Sequence, residues 1–334
     1  MISKRELLAR TLERTGLGSL LSQTAGRWSG LVVFNYHRLG NRTTSLFDRA
    51  LYSAEQDEFD RQIRFLKQHY DVIRVDDLEQ VRRRAGRAVM ITFDDGYRDN
   101  YELALPVLKQ HQVPATFFIT SGFVDGGPVA WWDEIAWMVR QSPRGQLPAI
   151  LDDCPEFPLR NAEEREAAVK GLLRFYKGLP LGQTQPFLQQ LAEVTDTGRC
   201  PATLARDVWM NWEMIRELDR AGLDIGGHTV SHPVLSRTST EMQRQEIFGS
   251  KRRIEQEIGH AISAFSYPVG QPDSFTPATQ QLLREAGYHW AFSFSGGFSS
   301  TGHLNDFDLP RVAVSPHLSD ELFRSTARLP WLFA

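Results

Sequence analysis

Short apolar runs alternating with helical patterns are the feature that most restricts the folds open to this chain. The runs fall at 31–35, 72–75, 88–93, 115–119, 223–226, 262–267, 289–294 and 309–314, and they are rich in β-branched and aromatic residues. Most are continuously apolar, as parallel strands buried on both faces are. Helical spacing fills the gaps, with Phe59, Ile63, Leu66 and His69 across 57–69 and Ile247, Ile254 and Ile258 across 240–258. Residues 211–221 and 276–286 read the same way, and Gly222, Gly259 and Gly287 stand where helices stop. Pro106 suits the first turn of its helix. Strand–helix alternation with about eight strands predicts an α/β chain closed, or nearly closed, into a (β/α) barrel.

One spacing breaks the rhythm. Between Ile119 and Leu223 lie about a hundred residues without a convincing strand, where a βα unit needs about 30. Residues 128–208 therefore read as an insertion, helical over 131–141, 161–178 and 184–194. It leaves the chain after the strand ending near Thr120, at the end where such barrels keep their active sites, so it is expected to shape or cover a substrate groove. Its Trp131, Trp132 and Trp137 either stack on a ligand or bury the insertion.

Residues 1–29 form a separate amino-terminal region, with one amphipathic helix expected over 3–22. Leu7, Leu8, Leu12 and Leu20 are its apolar members; they pack on the main domain or, with Lys4, Arg5, Arg10 and Arg14, touch a membrane surface. The basic start is not followed by the apolar core of an export signal, because Arg10, Glu13 and Arg14 interrupt it. That gives an expectation of a cytoplasmic protein with, at most, peripheral membrane contact. The remaining composition narrows the class. Of the 334 residues 41% are hydrophobic and 24% charged, which suits a globular chain with a sizeable core. A net charge of −3 lacks the basic excess of a nucleic-acid binder. Two cysteines, Cys154 and Cys200, exclude a disulfide-stapled scaffold and a cysteine-only zinc site.

Two clusters carry chemistry. Thr92-Phe93-Asp94-Asp95-Gly96-Tyr97 follows a buried strand directly. Carboxylates there are costly unless paired, hydrogen-bonded or bound to metal, and Gly96 permits a turn that brings both to the barrel mouth. Gly226-Gly227-His228-Thr229-Val230-Ser231-His232-Pro233 also follows a strand, and Pro233 keeps His232 out of helical geometry. Imidazoles four residues apart on a turn can share one ion. One Asp with two His leaves a coordination position open, as catalytic sites do, and the spare carboxylate supplies a general base. The same donor set serves the iron of oxygenases, but that chemistry has no need of a second Asp.

With these residues the sequence resembles the polysaccharide deacetylase family, the NodB-homology carbohydrate esterases. The resemblance rests on TFDDG at 92–96 and HTVSHP at 228–233, and on the supporting segments Phe265–Gly270, Asp308–Arg311 and Asn35–Arg38. It spans roughly residues 30–125 and 209–315. It implies a distorted (β/α)7 barrel over 30–334, with 128–208 inserted, and a divalent metal, usually zinc. It implies metal-dependent removal of N-acetyl groups from a sugar or polysaccharide, such as an exopolysaccharide, a capsule or a lipid-linked glycan precursor. Carried over, Asp94 is the catalytic base, and Asp95, His228 and His232 hold the metal. Many members carry an Arg that pairs with the base where Ser266 stands here; Arg311 is the candidate replacement. Tyr267 and Val269 fall in the substrate and oxyanion segment, where the Val269 backbone N–H is the donor although an aromatic side chain is frequent at that place. No clear Leu-x-His motif supplies the general acid, which leaves His37 and His317 as candidates. The rivals are a deformylase or amidase acting on a related small acyl group, and a non-catalytic glycan-binding module.

Overall fold

The computed structural model describes residues 3–24, 28–83, 85–151 and 153–334. Residues 1, 2 and 25–27 of the amino-terminal region lie outside the described residues. The chain divides into two compact units: Met1–Gly40, Leu51–Asp125 and Met210–Ala334 form the first, and Asn41–Ala50 with Gly126–Trp209 the second.

In the first unit, parallel strands follow one another around a ring. They are β1 (Gly30–Tyr36), β2 (Arg87–Phe93), β3 (Thr116–Ile119), β4 (Asp224–Gly227), β5 (Ala264–Ser266), β6 (Trp290–Phe292) and β7 (Val312–Ala313). β1 runs in register with β2 from Gly30↔Arg87 to Tyr36↔Phe93, and each next strand pairs parallel with the one before it through β6. The ring closes through the last segment: Phe292 bridges Leu309, and Val312 pairs with Phe34 of β1. This is a distorted (β/α) barrel. Two short pieces complete the sheet. Asp71–Val72 pairs with β2, and Ser299–Ser300 pairs antiparallel with β1. The antiparallel piece is too short and too polar for an apolar-run reading to find.

Strand alternation sorts the side chains into two layers. Val32, Phe34, Tyr36, Ile91, Phe93 and Phe265 face outward and pack with Phe59, Ile63, Leu66, Ile215 and Ile247 of the covering helices. Leu31, Val33, Ala88, Met90, Phe118, Ala264, Phe292 and Leu309 fill the barrel. Continuing the inward series toward the carboxyl ends of the strands gives Asn35 and His37 after Val33, Thr92 and Asp94 after Met90, Ser266 after Ala264 and Arg311 after Leu309. The interior thus changes from apolar to polar at the mouth where barrels of this kind place their chemistry.

The second unit has its own core. Helices Trp131–Gln141, Ala162–Gly178 and Leu181–Val194 bury Ile135, Val139, Leu172, Phe187 and Leu191 together. Segment Asn41–Ala50 belongs here, although its sequence lies among the barrel elements. Its Asp48 backbone N–H donates to Asp133 at 2.8 Å, across 85 residues of chain. No local pattern announces such a contact.

At the amino terminus the single helix expected over 3–22 is two, Lys4–Arg14 and Leu17–Thr24. Gly16 separates them with φ of 72°, a left-handed conformation that only glycine adopts cheaply. Ala9 and Leu12 pack on Leu322, Leu329 and Phe333 of the carboxyl-terminal helices.

Candidate functional site

Asp94 ends the inward series of β2, and its carboxylate is almost completely buried. Arg311, arriving from the ring-closing segment, grips it with two parallel bonds: Nη1 donates to Oδ1 and Nη2 to Oδ2, each at 2.8 Å. The guanidinium is held in turn. Its Nε donates to the Ser293 carbonyl, Nη1 also to Asn35 Oδ1, and Nη2 also to Ser266 Oγ. Asn35 Nδ2 adds a 3.2 Å bond to Asp94 Oδ2. Burial alone would raise the Asp94 pKa, but Arg311 and His228 outweigh it and hold the carboxyl well below the usual carboxylate range. Asp94 is therefore ionised at neutral pH. The small Ser266 leaves space for the guanidinium and accepts one of its hydrogens.

Asp95 follows immediately, and strand alternation would send it outward. Its backbone takes φ of 76° and Gly96 takes 90°, so the chain turns on Asp95 itself. The turn expected at Gly96 thus begins one position earlier, at Asp95. Asp95 Oδ1 lies 3.4 Å from His228 Nε2 and 3.4 Å from His232 Nε2. The donor atoms of these three buried residues lie within 4.8 Å of one another.

The histidine turn is strained in the same way, with Thr229 at φ of 66° and His232 at 57°. Pro233 steers a preceding residue away from the right-handed helix, and here the chain goes to the left-handed region. Such outliers persist only where surrounding structure over-determines them. Glu246, on helix Thr240–Ile258, does that. Its carboxylate accepts from Val230 N and Ser231 N, both at 2.8 Å, and from Ser231 Oγ at 2.6 Å.

The three residues fit a metal ion. His228 Nδ1 contacts the Ser266 carbonyl at 2.7 Å. A carbonyl only accepts, so Nδ1 carries the proton and Nε2, facing Asp95, is left as a lone pair. Asp95 Oδ1 has no hydrogen-bond partner despite being buried, which a cation would remedy. Burial lowers the His232 pKa to about 3, keeping the imidazole in its ligating, neutral form. The His228 pKa is raised, because the Asp94 and Asp95 carboxylates outweigh the effect of its burial.

Of the remaining candidates, His37 is at the site and Tyr267 is not. His37 Nε2 stands 4.0 Å from Asp94 Oδ2, and its ring meets Phe294 edge-on. Burial lowers its pKa, aided by Arg311 and His228 and opposed by both carboxylates. Tyr267 falls on the outward side of its strand. Its ring stacks on Phe275 at 3.9 Å, and its hydroxyl donates to the Phe307 carbonyl. Val269 sits on the turn after β5 with φ of 64°, a costly conformation for a β-branched residue. His317 is exposed, ahead of helix Asp320–Arg328. Trp131 stacks on Tyr176 at 4.3 Å and touches Trp132, so both rings pack within the second unit.

A model of the polysaccharide deacetylase family matches residues 82–142 and 184–291, which take in both Asp94-Asp95 and the His228–His232 turn. The chain belongs to the polysaccharide deacetylase family. YxkH of Bacillus subtilis (strain 168), named for the same family, is 22% identical over 246 residues, covering 74% of this chain and 58% of YxkH. The poly-beta-1,6-N-acetyl-D-glucosamine N-deacetylase of Staphylococcus aureus (strain N315) is 36% identical over 106 residues, covering 28% of this chain and 37% of that protein. The chain thus spans less than two thirds of the length of either relative. Among solved structures, the Streptococcus pyogenes deacetylase PplD superposes with a TM-score of 0.58 at 17% identity, over 92% of this chain and 99% of that one. IcaB from Ammonifex degensii superposes with a TM-score of 0.55 at 20% identity, over 92% and 98%. At those identities the likeness is one of fold.

The supports of the site in this polysaccharide deacetylase family member carry little local signal in the sequence. Asn35 lies between Arg311 and Asp94. Asp99 accepts from Arg38 Nε and Leu39 N, while Asn100 Nδ2 donates to the His37 carbonyl, which ties down the strand end carrying His37. Glu246 was hidden in a helical pattern; its only signal is a carboxylate on the buried face of an amphipathic helix. Glu246→Ala removes all three bonds to the histidine turn. We expect Zn2+ affinity, measured by competition with a chromophoric chelator, to fall about 10–100-fold. Unchanged affinity with only a lowered melting temperature would limit Glu246 to folding.

Proposed function

We propose that this chain is a metal-dependent hydrolase that removes N-acetyl groups from an amino-sugar polymer of the exopolysaccharide kind. The observation that carries the reading is the division of labour between two adjacent carboxylates. Asp95 faces two imidazoles, and Asp94 is gripped by Arg311 instead. A non-catalytic binding module has no use for a second, separately anchored anion beside a metal-ligand set.

Asp95, His228 and His232 would hold a divalent cation, which when bound would supply the positive charge that acidifies water and polarises an amide carbonyl. Asp94 accepts the proton of the attacking water. Arg311 takes one position on Oδ1, while Arg311 and Asn35 together crowd Oδ2. A carboxylate oxygen has two acceptor positions, so Oδ1 keeps one for the incoming proton. The Val269 N–H is the donor for the developing oxyanion, on a turn rigid enough to hold a strained valine. His37 carries the proton to the departing amine; it is half-buried, 4.0 Å from Asp94, and anchored through its own backbone by Asn100 and by Ser53, whose Oγ accepts from His37 N.

The S. aureus relative is named for poly-beta-1,6-N-acetyl-D-glucosamine, so β-1,6-linked N-acetylglucosamine oligomers are the first substrates to test. Acetate release should require a divalent metal, stop with a chelator and return on adding Zn2+. Alanine at Asp95, His228 or His232 should lower metal stoichiometry and activity together. Release of formate instead of acetate from the matching N-formyl sugar would move the reading to a deformylase. Absence of bound metal and of any acyl release would end it.

A further inference from the structure

Helix Leu17–Thr24 is packed the wrong way round for a soluble surface. Its Gly18 and Ser22 are buried, while Leu17, Leu20 and Leu21 are 46%, 53% and 37% exposed. A surface helix ordinarily turns its leucines in and its small polar residues out. The neighbouring helix Lys4–Arg14 adds exposed Leu7 and Leu8, and the carboxyl-terminal turn on the same packed unit adds Trp331 and Leu332. Isolated exposed leucines are unremarkable, but this many on two consecutive helices and the adjoining terminus mark an interaction surface.

The charges around it say what kind. Helix Lys4–Arg14 contains two glutamates, which on sequence alone dilute its basic character. In the structure both are spent. Glu6 is buried and paired with Arg10 at 3.2 Å; Glu13 is paired with Arg328 and accepts from Ser325 Oγ. Lys4, Arg5 and Arg14 remain exposed beside the leucines, a local positive excess on a chain whose net charge is −3. A second copy of the chain would bring the same cations against each other. Anionic headgroups complement them, and a tryptophan at the edge suits the interface between headgroup and acyl chain. No helix among the described residues is long and apolar enough to cross a membrane.

We propose that this amino-terminal helix pair, with the carboxyl-terminal turn, docks the protein on the surface of an anionic lipid bilayer, leucines in the acyl boundary and Lys4, Arg5 and Arg14 at the headgroups. The test is co-sedimentation of the full chain with phosphatidylcholine vesicles, with and without phosphatidylglycerol. The full chain binds the anionic vesicles, and added salt weakens binding. Replacing Leu17, Leu20 and Leu21 together by serine lowers partitioning at least about tenfold on both kinds of vesicle. The triple reversal Lys4→Glu, Arg5→Glu, Arg14→Glu removes the preference for anionic vesicles and leaves any residual binding to neutral ones. Both variants avoid the metal-ligand cluster, and melting curves report whether they fold. Failure of the wild-type chain to sediment with either vesicle overturns the proposal, as does a serine variant that binds like wild type. A concentration-dependent dimer in sedimentation velocity that the serine variant abolishes also overturns it, because a second copy would then cover the face.

Discussion

Asp94→Asn is expected to keep its metal and its fold while losing about 10²–10⁴ of the rate, the range for a missing general base. Asparagine preserves size and retains an acceptor oxygen for Arg311, but it cannot take a proton from water. Asp95→Asn should behave in the opposite sense. It weakens the anionic member of the ligand set, and metal is lost along with activity. The asymmetry follows from position: Asp95 Oδ1 is 3.4 Å from each imidazole, whereas Asp94 has both oxygens on Arg311. Metal stoichiometry by atomic absorption, measured beside acetate release, separates the two. If Asp94→Asn strips the metal and Asp95→Asn keeps it, the two roles are exchanged.

The parts of this site that the sequence displayed are those with a local signal. Adjacent aspartates after an apolar strand and a histidine pair before a proline are short-range patterns, and β2 and β4 place both where the barrel's inward series turns polar. Helices bounded by glycine were legible for the same reason; Gly259 does take a left-handed conformation, with φ of 83°. What stayed hidden depends on distance in the chain. Asn35 and Arg311 meet across 276 residues, and Glu246 reaches the histidine turn from another element. The sequence signal for Arg311 is Ser266, a residue with no charge to pair with the base from its own position. Tyr267 neighbours Ser266 in sequence but not in the site, because alternation sends the two side chains to opposite faces. Nothing in the composition of segment 41–50 signals the bond from Asp48 to Asp133 that ties it to the second unit.

Arg311→Ala should be among the most damaging single changes in the chain. Both partners are almost completely buried, and Arg311 makes bonds to Asp94, Asn35, Ser266 and the Ser293 carbonyl. Truncation leaves Asp94 as an uncompensated buried charge beside a cavity. The expected loss of stability is about 3–5 kcal/mol, the cost of breaking such a pair from one side. Arg311→Lys keeps the charge but not the fork, so it should recover part of the stability and little of the activity. The pH dependence distinguishes lost electrostatics from lost packing. In the native protein the Asp94 pKa is depressed, chiefly by Arg311 acting against burial. A depressed carboxylate contributes stability that is present above its unfolded pKa, about 3.9, and is lost as pH falls through the folded value. Without Arg311, burial dominates and the Asp94 pKa rises above the unfolded value. Folding then binds a proton, so the variant's stability falls as pH rises through that window. Urea unfolding of wild type and Arg311→Ala between pH 4 and pH 8, at about one-unit intervals, should show the deficit largest at neutral pH and smaller in acid. A deficit that stays constant with pH would mean that the guanidinium acts by filling space, and that Asp94 does not depend on it for its charge.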